Sequence, residues 1–121
     1  MRLMSFALTT EAFRRREKRV TRRLGWRTVQ PGTLLMGVEK AQGLKKGESP
    51  VRLGVIRVIS RRQEQLSRML TAEYGAVECC LEGFPDLTPE QFVVMFCGHN
   101  GCPPSQVVTR IEFEYVDEVA S

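Results

Sequence analysis

The sequence Val107-Val108-Thr109-Arg110-Ile111-Glu112-Phe113-Glu114-Tyr115 alternates between two kinds of side chain near the end of a 121-residue chain. Its odd-numbered residues are apolar or aromatic apart from one threonine, and its even-numbered residues from 110 onward are charged. A period of two residues is typical of a β-strand, because successive side chains point to opposite faces of a sheet. The pattern therefore predicts a closing strand with one charged face.

Three earlier segments have the same extended character. Leu34–Val38 and Val51–Val58 contain alternating apolar residues, and Val20–Leu24 has apolar ends around a polar centre. The apolar pairs Val55-Ile56 and Val58-Ile59 break the strict period, which indicates either a β-bulge or a strand buried on both faces. We expect all four segments to be strands of one curved sheet.

The clearest helix signal is Thr88-Pro89-Glu90-Gln91. Threonine can accept a hydrogen bond at the N-cap, proline suits the first helical position, and glutamine three residues after the threonine completes a capping box. Phe92, Met95 and Phe96 then share one face of the helix, which Gly98 is expected to end.

Two further helical segments are expected, and together with the strands they define the fold class. Thr9-Thr10 can cap a short helix that begins at Glu11. Leu66–Leu81 has the pattern of mixed helix and loop, with Gly75 interrupting it. Short strands with helices grouped after them predict an α+β fold, a small β-barrel, closed or partly closed, with helices packed at one side. The length predicts a single domain over residues 1–121.

Charge is segregated along the chain. Sixteen of the eighteen Lys and Arg residues precede Gln63, whereas only four of the fourteen acidic residues do, so the two parts carry net charges of +12 and −8. The density of cations peaks between Arg14 and Arg27. Such a distribution is unfavourable through self-repulsion unless the acidic part folds beside the basic part or a polyanion binds to it.

No feature of the sequence predicts export or a membrane partner. No apolar run approaches the roughly 20 residues of a bilayer-spanning helix, and Met1–Leu8 is too short and too soon polar for a signal peptide. We therefore expect a cytoplasmic protein whose cysteines are thiols. Cys97, His99 and Cys102 raise zinc as an alternative, but their spacing fits no standard zinc pattern, so we predict no metal and no cofactor.

Several short motifs occur in a characteristic order along most of the chain. They are Phe13-x-x-x-x-Lys18-Arg19-Val20-Thr21-Arg22-Arg23 with Gly25-Trp26, then Pro31-Gly32, Val38-Glu39-Lys40, Glu82-Gly83-Phe84 and Arg110-Ile111-Glu112-Phe113. This order resembles the ASCH domain of the PUA-like superfamily, including uncharacterised phage and prophage members. The chain departs from the family at Arg19, where threonine is usual, and at Arg16, where the family has a turn glycine that accepts positive φ freely.

The resemblance implies a binding cleft beside the barrel. PUA-like domains commonly bind RNA or other nucleic acid there. Some small bacterial ASCH proteins are amidohydrolases that remove an acyl group from the exocyclic amine of a modified cytidine. Their catalytic lysine, threonine and glutamate correspond to Lys18, Thr21 and Glu82.

The implied chemistry sets a geometric condition. Lys18 and Thr21 lie three residues apart and converge only if Lys18 lies in the turn before the strand. Lys18, its pKa lowered by neighbouring cations, would take the hydroxyl proton of Thr21, and Glu82 would position or relay it. Without the resemblance, the three are a solvated cation, a strand residue and a charge at a helix end.

The resemblance and the cation density together predict a nucleic-acid-binding surface. Its residues are Arg16, Lys18, Arg19, Arg22, Arg23, Trp26, Lys40, Lys45 and Lys46. The family pattern favours Arg23 as the inward-facing phosphate or carboxylate clamp. Trp26 is either a stacking surface for a base or a core residue.

Two alternatives on this surface stay open. Arg14–Arg16 form either part of the binding surface or a solvated helix face that pairs with Glu11 and Glu17. His99 is expected to be a loop residue rather than a catalytic base.

Three functions are therefore considered. The leading one is a nucleic-acid-binding domain, for RNA or a single strand, that uses a basic cleft. The second is an amidohydrolase that deacylates nucleosides of the N4-acylcytidine type. The third is a phage-type adaptor that binds a protein partner through the acidic C-terminal half of the chain.

Overall fold

A computed structural model describes residues 1–117 of the chain. Its elements in chain order are β1 (Arg2–Ser5), α1 (Thr10–Arg14), β2 (Val20–Arg23), β3 (Leu34–Val38), β4 (Arg52–Gln65), a 3-10 helix (Leu66–Leu70), α2 (Ala72–Leu81), α3 (Pro89–Asn100) and β5 (Val107–Val116). None of the helices in this part of the chain is long and apolar enough to cross a membrane.

The five strands form one curled mixed sheet in the order β1-β3-β4-β5-β2. β1 runs parallel to β3, and the other neighbours are antiparallel. The sheet is a half-barrel whose two edges are β1 and β2. The four strands predicted from the sequence all belong to it, which confirms the α+β barrel-like fold class.

β4 is longer than the predicted segment Val51–Val58, because its second half continues to Gln65 along β5. The register between β4 and β5 shifts between Val58 and Ser60. The β-bulge accounts for the pair Val58-Ile59, whose isoleucine is exposed. The pair Val55-Ile56 fits the other alternative, because both of these adjacent residues are buried and the strand is covered on both faces there. The residues that follow the bulge are mostly polar, so their alternation carries little hydrophobic signal.

Two apolar clusters form the core. The first lies against the concave sheet and α1 and contains Met4, Phe6, Phe13, Val29, Leu35, Ile56, Val58, Ile111 and Phe113. The second joins the 3-10 helix, α2 and α3 to the start of β5 and contains Leu66, Met69, Cys79, Phe92, Val93, Phe96 and Val108. The helices thus extend the barrel core on one side, as predicted.

α3 begins as its sequence predicts and ends later. The Thr88 side chain accepts from the Gln91 N–H at 3.1 Å, and the Gln91 side chain accepts from the Thr88 N–H at 2.9 Å, which completes the capping box. The prediction that Gly98 ends the helix is wrong. The helix continues to Asn100 and ends at Gly101, whose φ of 64° is the left-handed conformation that favours glycine there.

The predicted interruption at Gly75 is also wrong, because Gly75 lies inside the continuous helix α2. A Cβ atom at this position would lie 1.9 Å from the Met69 carbonyl oxygen and 2.8 Å from the Pro89 ring. Glycine is therefore required by close packing between the 3-10 helix, α2 and the start of α3, and not by a turn.

Candidate functional site

A cleft of about 540 Å³ opens between the two sheet edges, where the half-barrel does not close. β1 and the residues after it line one wall, β2 lines the other, and α3 contributes Phe92, Met95, Phe96, His99 and Asn100. The Arg23 guanidinium lies 4.9 Å from the centre of the Phe6 ring, so the walls contact each other across the cleft.

A tight turn after α1 brings Lys18 into this cleft. The Arg16 N–H donates to the Phe13 carbonyl and the Glu17 N–H to the Ala12 carbonyl, each at 2.9 Å, which is the bonding pattern of a Schellman motif. Arg16 occupies the left-handed position with a φ of 58°. Arginine at this position, where the resemblance predicts glycine, therefore leaves the turn intact. Lys18 follows in the turn before β2, as the predicted convergence requires, and lines the same cleft as Thr21, but no hydrogen bond joins the two side chains.

A second Schellman motif positions Glu82 at the end of α2. The Gly83 N–H donates to the Cys80 carbonyl at 3.1 Å, and the Phe84 N–H donates to the Cys79 carbonyl at 2.9 Å. Gly83 has a φ of 91°, and a Cβ atom there would lie 2.9 Å from the Cβ of Ala12. The ends of α1 and α2 therefore pack directly against each other, and this contact places Lys18 beside Glu82.

Lys18 and Glu82 form a buried ion pair. The Lys18 ammonium donates to the Glu82 carbonyl oxygen at 2.6 Å and to its Oε1 at 2.9 Å. An ammonium group has three donors, so one N–H remains without a partner among the described residues. Burial lowers the pKa of Lys18 and outweighs the opposing attraction of Glu82. The nearby cations Arg23 and Arg22 also lower it, but they are minor causes, which corrects the sequence-based explanation.

Thr21 and Arg23 share the β2 wall of the cleft. The Arg23 Nε donates to the Thr21 hydroxyl oxygen at 3.0 Å, which leaves the hydroxyl proton free to be donated elsewhere. Burial lowers the pKa of Arg23 to about 10, so the guanidinium stays charged at neutral pH and contributes positive charge within the cleft.

The side chain of Arg22 is fully buried beneath α2. Its guanidinium donates to Glu82 at 3.1 Å and to Tyr74 at 3.1 Å, and it also binds Glu78. Arg110 of β5 binds the same Glu78 carboxylate through two nitrogens. The Arg22 side chain is thus held by carboxylates inside the protein, although the residue borders the cleft.

The carboxylate of Glu78 is the centre of this charged layer. Burial alone would raise the pKa of Glu78, but the hydrogen bonds from Arg110 and Arg22 outweigh it and hold the pKa at about 2. Tyr74 extends the layer by donating to the Glu64 carboxylate at 2.8 Å. The layer joins α2 to β2, β4 and β5 through charges that are hydrogen-bonded, as buried charges must be.

Main-chain groups of both edge strands also face the cleft without partners. The Phe6 N–H donates to the Val38 carbonyl, so the alternation of a parallel ladder directs the main-chain groups of Leu3 and Ser5 away from β3. On β2, the Phe113 N–H donates to the Arg19 carbonyl, so the main-chain groups of Arg22 point away from β5. No residue between 1 and 117 bonds to these groups. Polar main-chain groups in such a setting are normally satisfied by water or a ligand.

The predicted binding residues separate into two sets. Lys18, Arg22, Arg23, Trp26 and Lys40 line the cleft together with Thr21 and Glu82. Arg16, Arg19, Lys45 and Lys46 do not belong to its lining. Trp26 lines the cleft and also packs against the first core cluster, so a core role is confirmed, and base stacking stays a prediction.

The basic segment around α1 is largely paired. Arg14 contacts Glu11 and Glu39, Arg15 contacts Glu17, and a fourth pair joins Arg16 to Asp117. All of these side chains are exposed enough that each pair contributes little to stability. The alternative of a solvated, paired helix face therefore describes Arg14 and Arg15.

His99 is not in a loop, as the sequence suggested, but in the last turn of α3, where it lines the cleft. Cys97 and Cys102 are partly buried against the second core cluster. Within residues 1–117, no group of three or more His, Cys, Asp or Glu side chains is arranged to hold a metal ion.

The sequence patterns give no role to four members of the charged layer, namely Glu64, Tyr74, Glu78 and Arg110. One signal was available. Tyr74, Glu78 and Glu82 recur every four residues and therefore share one face of α2. A polar stripe on a helix that packs against a sheet needs buried partners of opposite charge, and β2 and β5 supply them.

Sequence comparisons identify no relatives, because no family model and no curated protein match the chain. Solved structures do share its fold. One is a protein from Enterococcus faecalis V583 assigned to the family model DUF984, with a TM-score of 0.62 and 14% identity over 99% of this chain and 82% of that one. Another is an ASCH domain from Lactobacillus crispatus JV V101, with a TM-score of 0.55 and 14% identity over 93% of this chain and 77% of that one. The chain therefore has an ASCH-like fold.

Proposed function

We propose that the protein binds single-stranded nucleic acid, with the cleft between β1 and β2 receiving part of the chain. The observation that carries this proposal is the charge of the cleft lining, which includes four cations and one carboxylate. Arg22 is neutralised by the buried layer, but Arg23 has no acidic partner among the described residues and Lys40 has only a distant one at 3.7 Å. A surplus of positive charge in a cleft favours a phosphate-bearing ligand.

The positions of the acidic residues in the fold favour nucleic-acid binding over the function of a protein-binding adaptor. Three of the ten acidic residues after Gln63, namely Glu64, Glu78 and Glu82, are buried and paired with cations, so they are unavailable to a basic partner. The exposed cations Arg19, Lys45 and Lys46 have no ion-pair partner among residues 1–117 and can extend a phosphate path outside the cleft.

Arg23→Gln tests the proposal in binding of a short single-stranded RNA. Loss of one phosphate-contacting cation should weaken binding several-fold and reduce the slope of log K against log salt by about one. Arg52→Gln is the matched control, because Arg52 is exposed outside the cleft. Binding that does not depend on salt would contradict the proposal and favour the adaptor. An equal loss of affinity in both variants would show that the cleft is not the binding site.

A second candidate, deacylation of an N4-acylated cytidine, rests on the Lys18–Glu82 pair and on Thr21, which lines the same cleft. Burial lowers the pKa of Lys18, which makes a neutral amine available as a base below the usual range for lysine. In this reaction Lys18 takes the Thr21 hydroxyl proton and Thr21 Oγ adds to the acyl carbonyl. The C–N bond breaks as Lys18 returns the proton to the leaving amine. Water then hydrolyses the acyl-threonine ester.

The assay for this candidate is acetate release from N4-acetylcytidine by the purified protein. We expect Lys18→Met and Thr21→Ala each to abolish turnover, because the residues act as a unit, and Thr21→Ser to retain part of it. The rate should rise with pH at values below 10.5, the ordinary pKa of lysine. No acetate release by the unmutated protein, with RNA still bound, would exclude the enzyme on this substrate and leave the binding function.

A further inference from the structure

Trp26 stands at the cleft in a backbone conformation that a tryptophan rarely adopts. Gly25 and Trp26 have consecutive positive φ values of 74° and 55°. The left-handed region is unfavourable for a bulky residue and persists only where the surroundings enforce it. The Thr109 hydroxyl donates to the Gly25 carbonyl at 2.5 Å, and the Gln63 side chain donates to the Thr109 hydroxyl at 2.7 Å. β4 and β5 thus hold the turn that presents the indole.

One face of the indole is covered by a removable group. The ring packs against the first core cluster, and the Arg2 guanidinium lies 3.8 Å from its centre. Arg2 is exposed, begins the edge strand β1, and forms no ion pair with the described residues. The contact between Arg2 and Trp26 is therefore an exposed cation–π interaction, which is among the weaker contacts that fix a side chain.

We propose that the indole face beneath Arg2 is a stacking subsite for a base, and that Arg2 occupies this face until a base displaces it. This inference rests on the proposed nucleic-acid binding. Stacking of a base on an aromatic ring contributes more than an exposed cation–π contact, so the exchange is favourable. The displaced guanidinium remains next to the ligand, where it meets the phosphates of the same chain. The subsite recognises the π-face of a base and does not discriminate between the four bases.

The first test uses the unmutated protein, because Trp26 is its single tryptophan. A dT decamer and an abasic deoxyribose-phosphate decamer carry the same phosphates, and only the first can stack. We expect the dT decamer to change the tryptophan fluorescence and to bind more tightly by about five-fold or more. The abasic decamer should bind, as calorimetry measures, and leave the fluorescence unchanged.

The second test separates Arg2 as a competitor from Arg2 as a cation. Arg2→Ala removes one positive charge, which weakens the binding of both decamers equally. It also uncovers the indole, which favours only the decamer with bases, so the affinity for dT divided by the affinity for the abasic decamer should rise about two- to five-fold. Arg27→Ala is the matched control. It removes an exposed cation next to Trp26 that has no acidic partner among residues 1–117. It should weaken the binding of both decamers equally and leave the ratio of their affinities unchanged.

The outcomes separate this subsite from the function on which it rests. If neither decamer binds, nucleic-acid binding and the subsite are both overturned. If the two bind equally and neither changes the fluorescence, the subsite is overturned while nucleic-acid binding stands. An affinity ratio that Arg2→Ala leaves unchanged overturns the displacement of Arg2.

Discussion

Arg16 holds a backbone conformation that glycine adopts at lower cost. Its φ of 58° lies in the left-handed region, where a residue with a Cβ atom is strained by roughly 1 kcal/mol. Its pair with Asp117 is exposed and offsets little of this strain. We therefore expect Arg16→Gly to raise the free energy of unfolding by about 0.5–1 kcal/mol, measured by urea denaturation.

The neighbouring residue provides the control for this prediction. Arg15 has a φ of −81° and an ordinary helical backbone, so Arg15→Gly should lower the free energy of unfolding by up to about 1 kcal/mol. If both variants were destabilised alike, the strain at Arg16 would have no energetic consequence. The family pattern identified this turn from the sequence, but only the Schellman geometry shows that the arginine leaves it intact.

At the level of helices and strands, local chemistry was predictable and close packing was not. The capping box of α3 depends on residues within one turn of each other, and it was predicted correctly. The prediction for Gly75 was wrong because a glycine in a helical pattern can mark either a break in the helix or a position where other atoms pack against the backbone. At Gly75 the packed atoms belong to Met69 and Pro89. Those contacts depend on how three helices pack, which no local pattern contains.

Gly75→Ala tests whether this glycine is required by close packing or only marks a break in the helix. The added Cβ would overlap the Met69 carbonyl oxygen, so we expect a loss of about 1–3 kcal/mol in the free energy of unfolding, or more. Gly98→Ala is the matched control, because Gly98 lies within α3 and the new Cβ would have no atom within 4 Å apart from its chain neighbours and the backbone of its own helix. This variant should be stabilised by up to about 1 kcal/mol through helix propensity. A stabilised Gly75→Ala would contradict the packing explanation.

Over the whole molecule, the segregation of charge along the sequence is resolved by the fold. Cations of the first half meet acids of the second half in the pairs of Lys18 with Glu82, Arg22 with Glu78, and Arg57 with Glu114. Folding of the acidic half beside the basic half was one of the two alternatives open from the sequence. The partners themselves could not be predicted, because they are distant in sequence and meet only through the sheet order.

This charged layer makes stability depend on pH in the acid range. The pKa of Glu78 is held at about 2 in the folded state, against an ordinary value of 4.5, so the unfolded state takes up the proton first as the pH falls. Its contribution is therefore complete above pH 4.5 and is lost progressively toward pH 2. We expect the free energy of unfolding to fall across this window by a few kcal/mol, on the order given by linkage.

Glu78→Gln should remove most of this acid slope. At neutral pH it should also destabilise the protein by about 3–5 kcal/mol, because Arg22 and Arg110 would remain buried without their shared carboxylate. Glu73→Gln is the control on the same helix, since Glu73 is exposed and forms no ion pair with residues 1–117. If Glu78→Gln does not fold, the titration of Glu78 by NMR in the unmutated protein replaces it. A Glu78 carboxylate that titrates near 4.5 would show that the layer does not bind it in its charged form.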